Sequence, residues 1–176
     1  MSGHNKFSKI KHQKAKNDGQ KSKVFGKLVR FISVEAKKAG GNLKSPGLAL
    51  AIEKAKKENM PNDTIDRAIK KATTDNSAAM ENITYESYGP GGVAILIEAL
   101  TDNRNKAAQE VKAILVRHGF ELASPGSASW AFTKGPEGLV PNMTMPLEDA
   151  DIEKLQALVE ALEENDEVQE VFTNAE

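Results

Sequence analysis

The sequence predicts an α+β protein, with an N-terminal three-helix domain followed by a ferredoxin-like α/β domain. Three observations predict it. Apolar residues recur at helical spacing through the first part of the chain, strand-like runs alternate with two further helical stretches beyond it, and the charge divides between the two parts. Residues 1–75 carry 18 basic and 7 acidic side chains, whereas residues 76–176 carry 6 and 18, a formal +11 against −12. With 176 residues, of which 39% are hydrophobic, the chain can bury a real core. The expected boundaries are a basic arm plus three-helix domain over 1–75, a linker over 76–82 and the α/β domain over 83–176.

Residues 2 to about 20 are polar and lack regular periodicity. Asn17-Asp18-Gly19 is turn-prone, so an extended or partly helical arm is expected there. From Ser22, Phe25, Leu28, Val29, Ile32 and Ala36 fall on one helical face, and Gly40-Gly41 ends that helix. Ser45 as N-cap with Pro46 at the first helical position announces a second helix, with Leu48, Ala51, Ile52 and Ala55 as its buried stripe and an end near Asn59. Asn62 is expected to cap a third, through Thr73, with Ile65, Ala68, Ile69 and Ala72 inward. None of these helices is long enough to be stable alone, so their stripes must pack together and leave the basic residues outside.

In the second part, Tyr85 to Tyr88 reads as a strand, Gly89-Pro90-Gly91-Gly92 as a turn, and Val93 to Leu100 as a central strand, apolar at nearly every position. Asp102 is expected to cap a helix with Ala107, Val111, Ile114 and Leu115 inward and Gly119 as its left-handed end. Ala128, Trp130 and Phe132 alternate as a strand would. Lys134 to Gly138 breaks the pattern, and Leu139 to Met145 supplies one more strand. Ile152, Leu155, Leu158, Val159 and Leu162 mark the last helix, and Val168 to Phe172 the closing strand. Helices covering one face of the sheet follow from this order.

Composition excludes several chemistries. The chain has no cysteine, so disulfides, thiolate catalysis and cysteine-ligated zinc are absent. No purely apolar run exceeds the five residues of Val93 to Ile97, far below the roughly 20 a membrane span needs. No signal-peptide core is found near the N-terminus, and the expected location is the cytoplasm. His4, His12 and His118 do not form a metal-binding pattern, and no nucleophile with a base, or carboxylate pair in an apolar pocket, can be identified. No enzymatic activity, metal or cofactor is therefore expected. Gly89 to Gly92 precedes a strand rather than a helix, which suits a tight turn better than a nucleotide cradle, although Tyr88 beside it could pack against RNA.

What the sequence does offer is a polyanion-binding element. Ser2 to Lys38 holds eleven Lys/Arg against Asp18 and Glu35 only, interleaved with Phe7, Ile10, Val24, Phe25, Leu28, Val29 and Ile32. So positive a run repels itself unless a polyanion lies beside it, and phosphate backbones are the commonest such partner. The candidate contacts are His4, Lys6, Phe7, Lys9, Lys11, His12, Lys14, Lys16, Lys21, Lys23, Lys27 and Arg30, with Arg104 and Asn105 at the start of the fourth helix as secondary candidates. Lysine dominates, and the basic half holds only Arg30 and Arg67, whereas reading DNA bases normally needs Arg, Asn or Gln on an exposed helix face. Structured RNA is the favoured partner, double-stranded DNA the alternative.

Ser2-Gly3-His4-Asn5-Lys6-Phe7 with Ile10-Lys11-His12, then Lys23-Val24-Phe25-Gly26-Lys27-Leu28, Tyr85-Glu86-Ser87-Tyr88-Gly89-Pro90-Gly91-Gly92, Asp102-Asn103-Arg104-Asn105 and Asp166 to Asn174 together resemble the YebC family of probable transcriptional regulators and translational activators. The resemblance implies a non-catalytic role in gene expression, either as a DNA-binding regulator or as a ribosome-associated factor that helps peptide-bond formation through difficult sequences. It implies that the arm from His4 to Lys27 contacts nucleic acid. Against that family, Phe7 stands where Trp is usual, and the chain is a short form lacking the usual third domain after the Trp130 to Phe132 stretch.

Overall fold

The structure, a computed structural model, describes residues 18–76, 79–136 and 138–176, which divide into one compact unit running to Met80 and another from Glu81 to Glu176.

The first unit is three helices, α1 (Asp18–Ala39), α2 (Pro46–Lys57) and α3 (Asn62–Thr74), with α1 packed against both others. α1 begins earlier than the periodicity suggests. Asp18 and Gly19 sit in its first turn rather than in a separate turn, and acidic and small residues are well suited to a helix start. It ends at Gly40-Gly41, both at positive φ, with the Gly41 amide donating to the Ala36 carbonyl at 2.9 Å. Ser45 and Pro46 open α2 as expected, without a side-chain cap bond. Asn62 is the first residue of α3 rather than its cap; Pro61 takes that place, its carbonyl accepting from Thr64 and Ile65. The predicted stripes meet in one core of Ile32, Ala36, Leu48, Ala51, Ala55, Met60, Ile65, Ala68 and Ala72.

The second unit is built on a four-stranded antiparallel sheet. β1 (Glu81–Tyr88) and β2 (Ala94–Thr101) pair along their whole length, from Glu81 opposite Thr101 to Tyr88 opposite Ala94. The turn between them is a 3-10 segment, Pro90–Gly92, in which Gly91 has φ 68° and an added Cβ would lie 2.5 Å from Leu147 Cδ2. After α4 (Arg104–Arg117), the short β3 (Leu122–Ala123) lies beside β1; after α5 (Asp149–Glu164), β6 (Val168–Thr173) lies beside β2.

β2 is thus internal and buried on both faces, which is why its sequence runs apolar without alternating. On one face Val93, Ile95 and Ile97 pack with Val111 and Leu115 of α4 and Leu155, Leu158 and Leu162 of α5, so both helices cover one side of the sheet. On the other, Ala94 and Leu96 pack under Ala128, Ala131 and Phe132. That side is roofed by a two-stranded hairpin, β4 (Phe132–Gly135) and β5 (Gly138–Pro141). Trp130 is not in a strand. It lies in a 3-10 turn, Ser129–Ala131, because the residues that bury are Ala128, Ala131 and Phe132, a spacing no strand provides. The architecture is α+β, with a helical N-terminal unit, as the sequence predicts. Among the described residues no helix is long and apolar enough to cross a membrane.

Candidate nucleic-acid interface

Of the candidate contacts, His4, Lys6, Phe7, Lys9, Lys11, His12, Lys14 and Lys16 lie outside the described residues. Lys21, Lys23, Lys27 and Arg30 all fall on α1. Lys23, Lys27 and Arg30 follow one another at spacings of four and three, so they form one stripe along the helix, Lys23 exposed and the other two half-buried. The face carrying Phe25, Leu28, Val29 and Ile32 is turned into the core, so packing holds this basic stripe in place.

Arg104 and Asn105, both exposed, stand in the first turn of α4 in the second unit. Their cap is Asn103 rather than Asp102: the Asn103 side-chain oxygen accepts from the Lys106 amide at 3.1 Å, and Thr101 Oγ1 accepts from the Asn103 amide at 2.9 Å. Arg104 Nε lies 2.9 Å from Glu81 Oε2 on β1, with side chains 70% and 57% exposed. A pair so open to solvent is worth at most about 1 kcal/mol and leaves Arg104 available to a stronger anion. Lys106 points elsewhere, toward the buried Glu167 at 3.4 Å. Beneath this end of the sheet Tyr85 has its hydroxyl buried with no hydrogen-bond partner among the described residues; burial raises its pKa, partly offset by the nearby Arg104.

A third cluster escapes sequence reasoning. Glu86, on β1, is 6% exposed, and its carboxylate gathers the loop after β3: Gly126 N donates to Oε2 at 2.5 Å, and Ala128 N and Ser129 N donate to Oε1 at 2.9 and 2.7 Å. Burial alone would push this carboxyl's pKa up. The three backbone donors outweigh burial and hold it below the usual glutamate value. The clamp fixes Ser127, whose carbonyl accepts from both the Tyr88 hydroxyl and Trp130 Nε1, the latter at 2.8 Å. Trp130 Nε1 also reaches Tyr88 Oη at 3.3 Å. Tyr88 and Trp130, 42 positions apart in the chain, therefore stand together at the surface, 39% and 59% exposed. The signal available in advance was only that Trp130 is the single tryptophan and Tyr88 adjoins a glycine turn.

Comparison with known proteins places these features in context. A family profile described as the TACO1/YebC protein N-terminal domain matches residues 5–75, and one described as the TACO1/YebC second and third domain matches 80–136 and 137–175. A probable transcriptional regulatory protein of Fervidobacterium nodosum is 37% identical over 235 positions, covering 99% of this chain and 93% of the relative. One of Petrotoga mobilis is 44% identical over 184 positions, covering all of this chain and 71% of the relative. A crystal structure of a conserved hypothetical protein from Aquifex aeolicus superimposes with a TM-score of 0.79 at 32% identity, covering 95% of each chain.

Proposed function

The chain belongs to the TACO1/YebC family, and we propose that within it this protein is a non-enzymatic, cytoplasmic factor that binds structured RNA of the ribosome and eases difficult peptide-bond formation. The observation that carries this reading is the concentration of eleven Lys/Arg against two acidic residues in Ser2 to Lys38, on a chain that is otherwise acidic. Such a segment gains most of its affinity by displacing counterions from phosphates. Its lysines position a nucleic acid without reading base edges, which suits a target selected by shape. The stripe of Lys23, Lys27 and Arg30 adds basic side chains from a packed helix. Arg104 and Asn105 supply a secondary contact from the second unit.

The alternative reading is a double-stranded-DNA regulator, favoured by the names of the bacterial relatives, which are called probable transcriptional regulatory proteins. Sucrose-gradient sedimentation of lysate at low and moderate salt separates the two. Cofractionation with ribosomal particles is expected; free migration together with a sequence-specific shift of promoter DNA overturns the RNA reading in favour of the alternative. Replacing Lys6, Lys9, Lys11 and Lys14 by Glu is expected to weaken RNA binding by about a hundredfold or more and to flatten its log–log salt dependence by about three units. The thermal transition should stay within a degree or two of the parent. Binding that survives the reversal rules out the arm as the contact.

A further inference from the structure

We propose that Tyr88 and Trp130 form a stacking shelf for an unpaired base of single-stranded RNA. The inference rests on the RNA reading above and adds a site that the basic segment does not include. Indole is the largest apolar side chain, and tryptophans are on average well buried, yet Trp130 is 59% exposed, with Tyr88 beside it at 39%. Neither ring is loose. Both polar atoms are turned onto the Ser127 carbonyl, and Trp130 Nε1 also meets Tyr88 Oη at 3.3 Å.

The loop that carries Ser127 is in turn gripped through the amides of Gly126, Ala128 and Ser129 by the buried Glu86 carboxylate. From the other side Asn142 Nδ2 donates to the Trp130 carbonyl at 2.8 Å. Two aromatic rings are therefore held before any ligand arrives, so little rotamer entropy is lost on binding.

The hydrogen bonding also selects the class of ligand. An aromatic surface that binds an extended proline-rich peptide commonly uses its indole N–H and phenol O–H to grip peptide carbonyls. Here those donors are already spent on Ser127, and what remains to offer is π-surface. A nucleobase can be held by stacking on such a surface, with little requirement on sequence. The shelf therefore complements the lysines of the first unit: they neutralise phosphates, whereas it holds a base.

Because Trp130 is the only tryptophan in the chain, its intrinsic fluorescence reports the site directly. The test titrates the full-length protein with a single-stranded RNA 12-mer, with an abasic 12-mer of the same backbone, and with a proline-rich decapeptide. Quenching by the RNA, little by the abasic strand and none by the peptide is expected. By anisotropy of labelled RNA, Trp130→Ala should bind roughly five- to a hundredfold more weakly, with an unchanged salt slope, and Trp130→Phe should keep most of the affinity.

Trp130→Ala removes a ring that is mostly exposed together with its bond to Ser127, so only a small drop in the thermal transition is expected. Should that variant fail to fold, the abasic comparison on the unaltered protein still decides. RNA binding with no quenching and no preference over the abasic strand overturns the shelf and leaves the RNA reading standing. Quenching by the peptide instead of the RNA overturns the shelf in favour of a protein ligand, and absence of binding to the single-stranded RNA overturns the shelf, whereas the structured-RNA reading stands or falls with the sedimentation experiment.

Discussion

The two units of this chain bury their cores in opposite ways. The helical unit packs with small side chains: Ala36, Ala51, Ala55, Ala68 and Ala72 make up more than half of its nine core residues. The sheet unit packs with branched ones, Ile95, Ile97, Val111, Leu115, Leu155, Leu158, Leu162 and Val171 among them. Polar burial divides as well. Among the described residues, every buried polar or charged side chain, namely Glu86, Ser87, Thr101, Glu167 and Asn174, belongs to the sheet unit. An alanine-faced bundle has little apolar area to lose and no room to gain; a branched core over a sheet has much to lose. The first unit should resist truncation and fail on enlargement, and the second the reverse.

That contrast can be broken at three points. The largest effect is expected at Leu155, fully buried between α5 and the sheet. Leu155→Ala should destabilise the sheet unit by about 2–5 kcal/mol, read as a shift in the denaturant midpoint. Next is Glu86. Replacing it with Gln leaves an amide N–H facing the Gly126 N–H and weakens a charge-assisted set of bonds, for a loss of about 1.5–3 kcal/mol at neutral pH.

Glu86 also makes the comparison pH-dependent. Its folded pKa is lowered, so its contribution is complete above the unfolded glutamate value and disappears as pH falls through the folded one. Urea unfolding from pH 6 down into the acid range should show stability falling in the parent, and less steeply in Glu86→Gln. Equal slopes would mean that the clamp contributes nothing to linkage. The smallest change is expected from Ala51→Leu in α2, which overpacks a fully buried site and should cost the helical unit about 1–3 kcal/mol. If Ala51→Leu were neutral while Ala51→Gly was severe, the distinction between the two cores would be lost.

Helical stripes were legible because period 3.6 survives in sequence: Leu48, Ala51 and Ala55, Ile65, Ala68 and Ala72, and Ile152, Leu155, Leu158, Val159 and Leu162 are all buried where the spacing puts them. The continuous apolar run of β2 was equally plain. The misplacements occur where two local readings are chemically equivalent. Asp102 and Asn103 are both good caps, and only the Thr101 hydroxyl, bonded to the Asn103 amide, decides between them. Ala128, Trp130 and Phe132 imitate strand alternation over too few residues to exclude a 3-10 turn.

The Glu86 clamp was not legible at all, since a carboxylate in a strand reads as solvent-facing and its amide partners lie 40 to 43 positions further on. The same holds for the meeting of Tyr88 with Trp130. Residue type suggests such a site only when the partner is near in sequence, and here it is tertiary structure that supplies it.

The β4–β5 hairpin carries a last implication. Gly135 and Gly138 pair across it, a Cβ on Gly135 would press to 2.7 Å from Val140 Cγ2, and the two matched segments of the family profile meet between residues 136 and 137, in the short connection from β4 to β5. The Fervidobacterium relative aligns over 235 positions against 176 residues here, so the alignment includes positions of the relative with no counterpart in this sequence. A site whose two ends are neighbours works like a splice point in a rope: material can be let in or taken out there while the strands on either side stay laid as they were.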